Sequence, residues 1–440
     1  MRICIFTNTF LPHVGGVARS VRTFLEDFRR MGHRVLVIAP EFPEGPAPRS
    51  IERSVERVPA WQKFNGSDFS VSLPLGAALS ERVAQFQPDI LHAQHPFLLG
   101  DTALRLGAMH GVPVVFTHHT LYEQYTHYVP FDSAPLQAFV SELATRFANC
   151  CQGVIAPSDS LAALMAERGV TAPVRVIPTG IDTRKFAAAA REPWRRKLGL
   201  QRDEVLIGHV GRLAVEKNLP FLAQALTRTL AREPRARVLI VGDGPAREEI
   251  EAIFARRRVS QRVHFAGKLT GDPLREAYAA MDLFAFSSQS ETQGMVLAEA
   301  MSAGSPVVAL DASGARDVVR DRVNGRLLPA DATPETMART LTRAVREPEL
   351  RARWREGARS TAEEFDRRLS ARSALSFYRE LIAAHPSRAK SRDADLETWW
   401  QGLRDRLVME GRLLTDKVAA ATHAIAASAT GSEEAVGAAR

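Results

Sequence analysis

Runs of apolar residues, broken by segments whose apolar positions recur every three or four residues, set the rhythm of this chain. "RICIFTNT" and "RVLVIAP" are the first two runs, with an amphipathic stretch from Val17 to Met31 between them. "DILHAQ", "PVVFTHH" and "GVIAPS" repeat the pattern, each followed by a helical stretch, and "VRVIPTGIDTRKF" closes this half. A run that is apolar at nearly every position predicts a strand buried on both faces. Helices between such strands predict a parallel sheet. From about Glu204 the rhythm restarts with "VLIGHVGRL", "RVLIVGDGP", "RVHFAG", "DLFAFSS" and "PVVAL", with helices expected over Leu219–Arg232 and Ala246–Arg258. Two doubly wound α/β halves in succession predict a two-domain molecule. Ligands are expected outside the carboxyl ends of the strands, in the cleft that two such domains enclose.

Beyond Phe365 the periodicity is helical throughout. "FDRRLSARSALSFYREL" forms one helix. A second, from about Leu396 to Ala427, lines up Leu396, Trp400, Leu403, Leu407, Leu414, Val418 and Ile425, interrupted by Gly411. "HPSRAKSRDAD" between them reads as a flexible linker and "ASATGSEEAVGAAR" as a disordered tail. The expected division is a first domain over 1–183, a second over 184–365, and a helix over 366–385 packing back towards the first. Linker, amphipathic helix and tail occupy 386–440. The polar face of the long helix mixes Glu397, Asp405, Glu410 and Asp416 with Arg404, Arg406, Arg412 and Lys417. Mixed signs favour packing on protein, as a docking or oligomer helix, over packing on anionic lipid.

Composition adds bounds. A chain of 440 residues exceeds one core, and 45% hydrophobic with 25% charged residues is ordinary for a globular protein. No apolar run is long enough to cross a membrane, and "MRICIFTNTFLPHVGG" reads as a first strand, not a signal peptide. Cys4, Cys150 and Cys151 lack metal-ligand spacing, which suits a reducing cytoplasm. The net charge of +8 is uneven: residues 1–183 hold 15 Lys and Arg against 16 Asp and Glu, residues 184–440 hold 43 against 34. The surplus suits an anionic surface or a phosphorylated substrate, or simply solvates helices; it names no partner.

Candidate chemistry gathers at strand ends. "HVGRLAVEKN" places Arg212 and Lys217 past an apolar strand, where a guanidinium fork and a point charge can neutralise a diphosphate. "VGDGPAREEIE" adds a glycine turn at Gly242, suited to close backbone approach. In "SSQSETQGMVLAEAMSAGSPVV" a polar loop holds Glu291, and the amides of Gly294, Met295 and Val296 open a helix that carries Glu299. If the intervening residues were helical, the two carboxylates would stand about 12 Å apart, at roughly 1.5 Å per residue. That span suits two parts of one extended ligand better than a shared metal. A nucleotide sugar fits: hexose hydroxyls on Glu291, diphosphate on the amides with Arg212 and Lys217, ribose hydroxyls on Glu299. A capping glutamate followed by an unrelated helix glutamate is the plainer alternative. "PHVGGVARSV" opens another helix at Gly15 and Gly16, a second place for phosphate. His92, His95, His118, His119 and His127 cluster on two strand ends. They mark a polar site without the spacing of a zinc motif. The one D-x-D, Asp393 to Asp395, lies in the linker, so protein cations are expected to neutralise the diphosphate, with no metal.

These residues resemble a family. "GGVARSV", "FTHHT", "PTGID", "VGRLAVEKN", "VGDGP", "SETQGMVLAEAMSAGSPVVA" and "NGRLL", spread over roughly residues 1–383, are similar to the retaining GT-B enzymes of glycosyltransferase family 4. The glutamate pair matches that family's E-x7-E motif. The resemblance implies an α/β GT-B fold: two doubly wound Rossmann-like domains facing a central cleft, here with a C-terminal helical extension. It implies metal-independent transfer of a hexose from a nucleoside diphosphate to a hydroxyl, with retention. By position it gives Arg212 and Lys217 to the diphosphate, Glu291 to the sugar, Glu299 to the ribose, Gly16 to the phosphates and His119 to the reacting sugar. Retention is viewed in this family as departure and attack on one face, so the residues supply charge and positioning more than acid–base chemistry.

A finer resemblance, in "THHTLYEQYTHY" and "SETQGMVLAEAM", is to bacterial diacylglycerol glucosyltransferases and related lipid α-mannosyltransferases. It implies UDP-glucose as donor, a lipid acceptor, and a cytoplasmic enzyme peripheral on the inner face of the membrane, with no nucleic acid partner. Acceptor-side candidates are His95, Tyr122, Tyr125, His127 and Tyr128. "PAWQKFNGSDFSV", with Trp61, Phe64 and Phe69 around Lys63, has the make-up of an interfacial loop or of an ordinary exposed one. The slightly acidic first half departs from the basic face such a domain should show, although Arg19, Arg22, Arg29 and Arg30 cluster on the first helix. A soluble-acceptor transferase, a GT-B epimerase and a nucleotide-sugar-binding protein without transferase activity remain alternatives.

Overall fold

Strands form where apolar residues leave no face for water, and their side chains sort into two layers. A computed structural model describes residues 1–13, 15–42, 45, 47–61, 71–72, 76–124, 133–386 and 396–437. The chain divides into two units, Met1–Pro178 with Ser370–Arg440, and Thr179–Leu369. The first holds β1 (Arg2–Phe6), β2 (Arg34–Pro40), β3 (Val55–Val58), the short antiparallel pair β4 (Ala60–Trp61) and β5 (Val71–Ser72), β6 (Ile90–Ala93), β7 (Val114–Thr117), β8 (Gly153–Ala156) and β9 (Val174–Val176). Seven of these make one parallel sheet in the order β3-β2-β1-β6-β7-β8-β9.

Alternate residues of these strands serve opposite cores. Ile3, Ile5, Val37 and Val115 pack with Val21, Phe24 and Phe28 of helix Gly16–Arg30 and with Phe377 and Tyr378 of helix Arg367–Ala384. Cys4, Phe6, Leu36 and Phe116 pack on the other side against helices Gly76–Phe86, Leu99–His110 and Ala134–Cys150. Burying apolar side chains on both faces, at about 25 cal/mol per Å² removed from water, is the main favourable term. His92, named above among the site histidines, belongs to this framework. Fully buried, it bonds Thr117 Oγ1 through Nε2 and the Tyr378 hydroxyl through Nδ1, each at 2.7 Å. It ties two strands to the helix near the chain's far end.

The second unit repeats the plan with β10 (Val205–Val210), β11 (Ala236–Val241), β12 (Val263–Phe265), β13 (Leu283–Phe286), β14 (Val307–Leu310) and β15 (Gly325–Leu328). Its parallel order is β12-β11-β10-β13-β14-β15. Ile207, Val238 and Leu283 face helix Leu219–Arg232, while Leu206, Leu239 and Phe284 face helices Gly271–Ala280 and Met295–Ser302. Edge strands β3 and β9, "VERV" and "VRV", escape a reading based on apolar runs because each is short and interrupted by charged residues.

The C-terminal helix runs Leu396–Gly437, through residues expected to form a disordered tail. It lies on its own unit, against helices Leu99–His110 and Ala134–Cys150, with Leu413, Ala420 and Ala424 buried. A Cβ at position 402 would stand 2.4 Å from the Met109 carbonyl oxygen, so Gly402 permits the close approach. The buried face is not the expected stripe: Leu407, Leu414 and Val418 stay exposed. No helix among the described residues is long and apolar enough to cross a membrane. Residues 387–395, which contain most of the expected linker, lie outside the described residues.

Removing the Tyr378 hydroxyl leaves His92 Nδ1 buried without its partner. Tyr378→Phe is expected to cost about 1–3 kcal/mol, read from the midpoint of urea unfolding.

Candidate functional site

In the second unit, β10 and β13 are neighbours, so the loops leaving their carboxyl ends meet. The loop after β10 carries Arg212 and a short 3-10 turn, Val215–Lys217, closed by Asn218 in the left-handed region. The loop after β13 is sewn to it by serines. Ser287 Oγ donates to the carbonyls of Lys217 and Asn218 at 3.0 and 2.9 Å, and Ser290 Oγ to that of Glu216 at 3.1 Å. Across this seam Lys217 Nζ meets Glu291 Oε1 at 2.7 Å, and Ser288 Oγ donates to the same oxygen at 3.1 Å. Arg212 lies further out and pairs with Glu216 at 2.6 Å. Lys217 and Glu291, 74 residues apart in sequence, thus share one half-buried site.

The helix after this loop starts at Met295, with Gly294 as its left-handed N-cap, a residue that has no side chain to cap the first amides. Gln293 is buried and clamps Thr179. Its carbonyl accepts the Thr179 amide, and its NH2 donates to the Thr179 carbonyl, both at 2.8 Å. The sequence shows Gln293 only as a polar residue before a glycine; its task depends on a partner 114 residues away.

One expectation needs correction. The stretch from Glu291 to Gly294 is not helical, so a helical ruler does not measure the distance between the glutamates. Glu299 is fully buried, and its carboxylate accepts from the Tyr278 hydroxyl at 2.8 Å. That bond braces the helix. Gly242 is held close to the neighbouring loop: at φ 135°, a Cβ there would lie 1.8 Å from the Gly211 carbonyl oxygen.

In the first unit a polar cluster sits where β1, β6 and β7 end. Asn8 donates its backbone N–H to His95 Nδ1 at 3.1 Å, which puts the neutral imidazole's proton on Nε2. His119 Nε2 bonds Gln94 Oε1 at 2.7 Å. Gln94 Nε2, His118 Nδ1 and the Tyr122 hydroxyl are buried polar atoms with no protein partner among the described residues. Such orphans usually mark a water or a ligand. Burial holds His92 and His95 down to about 3 and His118 to about 4, and holds His119 well below the usual range, with its histidine neighbours adding to the effect. At neutral pH the cluster is therefore uncharged. Gly16 opens helix Gly16–Arg30 with nothing within 4 Å of where a Cβ would be. Tyr125, His127 and Tyr128 lie outside the described residues, as do Lys63, Phe64, Phe69 and the side chain of Trp61. Asn8 and Gln94 escaped notice in the sequence, since an amide at a strand end looks like any loop residue.

The histidine cluster makes the fold sensitive to acid. Unfolded imidazoles take protons near 6.5, whereas His92 and His95 resist until about 3 in the folded state. Below 6.5 the unfolded chain binds more protons, so this stabilisation is complete above 6.5 and drains away as pH falls towards 3. The melting temperature is expected to fall steadily as pH is lowered through this range.

Over residues 14–185 the chain matches Glycosyltransferase Family 4, and over residues 190–361 Glycosyl transferases group 1. Alpha-monoglucosyldiacylglycerol synthase of Streptococcus pneumoniae is 30% identical over 332 residues, 74% of this chain and 75% of that protein. GDP-mannose-dependent alpha-mannosyltransferase of Mycolicibacterium smegmatis is 33% identical over 359 residues, 79% of this chain and 89% of that protein. Among solved structures, Anabaena HepE in complex with UDP matches with a TM-score of 0.68 at 24% identity, over 86% of this chain and 100% of that one, a likeness of GT-B fold. With the two matches in tandem along the chain and relatives at this identity over most of their length, the chain belongs to glycosyltransferase family 4.

Proposed function

We propose that the protein is a retaining glycosyltransferase that moves glucose from UDP-glucose to a hydroxyl of a membrane lipid such as diacylglycerol. The observation that carries the donor side is the Lys217–Glu291 pair beside the first amides of a helix whose N-cap is a glycine. On this reading Lys217 and Arg212 neutralise the diphosphate, with the amides of Gly294, Met295 and Val296 as further donors. Glu291 takes both described bonds on Oε1 and uses its other oxygen for sugar hydroxyls. Glu299, held in place by its Tyr278 bond, is assigned the ribose hydroxyls. In the first unit Gly16 offers an open helix start to an anion, and neutral His119 offers hydrogen bonds to a sugar hydroxyl. His95 and Tyr122, beside the orphaned Gln94 and His118 atoms, are the acceptor-side groups.

The acceptor oxygen bonds the anomeric carbon as the bond to the β-phosphate breaks, and its proton passes to a phosphate oxygen. Uncharged histidines fit a site that positions and stabilises charge without acid–base exchange. The lipid acceptor is supported by the relative named as a monoglucosyldiacylglycerol synthase. A second reading, mannosyl transfer from GDP-mannose, is supported by the mannosyltransferase relatives.

A panel of radiolabelled nucleotide sugars with diacylglycerol and with total lipid extract tests the choice. Labelled product in the organic phase from UDP-glucose is expected. Label arriving only from GDP-mannose selects the second reading, and absence of nucleoside diphosphate release from every donor removes both. Lys217→Ala and Glu291→Ala are each expected to lower turnover by about two orders of magnitude or more, with urea midpoints close to wild type. Because protein cations are assigned the charge of the diphosphate, turnover is expected to survive EDTA; its loss, with recovery on adding Mg²⁺, would contradict that assignment.

A further inference from the structure

The long C-terminal helix lies outside both family matches, and no role assigned so far uses it. Four of the eight large apolar side chains exposed among the described residues fall on twelve residues of this helix: Leu407 64%, Val408 66%, Leu414 64% and Val418 66%. Leu407, Gly411, Leu414 and Val418 follow helical spacing and form one stripe, with Val408 on its flank. A concentration of this kind on a surface marks a contact.

The charges around the stripe are not mixed once the helix is seated. Glu410 pairs with Arg105 at 2.6 Å and Asp416 with Arg146 at 3.4 Å, both partners on the helices beneath. Asp405 is half-buried. Arg404 and Arg406 are exposed, Arg412 is exposed but donates to the Asn149 carbonyl oxygen at 2.9 Å, and between residues 401 and 424 no carboxylate is exposed. Packing has turned the acids inward and left an apolar stripe with Arg404 and Arg406 exposed.

We infer that this face of the C-terminal helix lies on an anionic lipid surface. Apolar side chains would enter the acyl boundary while the arginines meet lipid phosphates. A second copy fits less well, because its identical face offers no exposed carboxylate to the arginines. The direction of the helix also suits a lipid acceptor. Gly402 abuts Met109 and Lys417 bonds Asp101 at 2.7 Å, so the helix runs antiparallel to Leu99–His110. It therefore leads towards the Leu99 end, where the Leu99 amide bonds Asn8 beside the His95 cluster. The inference deepens the lipid-acceptor reading by naming the surface that meets lipid, and it is tested separately from transfer.

The full-length protein is sedimented with vesicles of phosphatidylglycerol and phosphatidylcholine, and with vesicles of phosphatidylcholine alone. Strong binding to the anionic vesicles is expected. Leu407→Asp with Leu414→Asp should lower it by about a hundredfold. Arg404→Glu with Arg406→Glu should lower it by about tenfold on anionic vesicles only. Circular dichroism should be unchanged in both variants, since all four positions are exposed, and transfer to detergent-dispersed diacylglycerol should persist. Wild-type protein that ignores anionic vesicles, or leucine variants that bind as well as wild type, would overturn the inference. So would a dimer that forms without lipid and is dissolved by the leucine substitutions. Vesicle binding without any sugar transfer would leave this surface standing and remove the function proposed above.

Discussion

The pairing of Lys217 with Glu291 is the interaction around which the candidate donor site is built. Two charges in a half-buried place cost desolvation unless their geometry is good and their other bonds are met. Here the pair is 2.7 Å long, and Ser288 donates to the same carboxylate oxygen. The contact exists only because β10 and β13 are neighbours, although β11 and β12 separate them in sequence. That order brings both loops to one edge, and Ser287 and Ser290 hold them in register. The two cores of this unit thus form a frame that keeps one ammonium and one carboxylate in contact.

The first unit solves the matching problem without charge. Its polar strand ends carry imidazoles and amides, all buried deeply enough that protonation is suppressed. His92 spends both nitrogens on the framework, whereas Gln94, His118 and Tyr122 keep buried polar atoms that no described side chain satisfies. Neutral groups of this kind suit hydroxyl-bearing ligands, since they donate and accept without the cost of burying an ion.

Much of the fold was legible in the amino-acid order. Leu219–Arg232 is helical over the expected range, and the ten apolar runs at the core of the two halves all contain strands. Strands such as "VERV" and "VRV" were not legible, because an edge strand needs apolar residues on fewer positions. Within the candidate site, the strand-end cations, Glu291 and the helix amides stood out by residue type and place. Gln293, Asn8, Gln94 and Tyr278 did not, because each acts through a hydrogen bond to a residue distant in sequence.

The C-terminal helix separates the two kinds of information most clearly. Its period alone determined that it would be helical with an apolar stripe. Its mixed charges determined that it could lie against protein. Which face would be covered depended on the shape of Leu99–His110 and Ala134–Cys150, where Gly402, Ala420 and Ala424 let the backbones come close. Only that docking drew Glu410 and Asp416 to Arg105 and Arg146 and left Leu407, Leu414, Val418, Arg404 and Arg406 outside. A helix wheel shows positions around one axis, but the choice of face is made by the surface the helix meets.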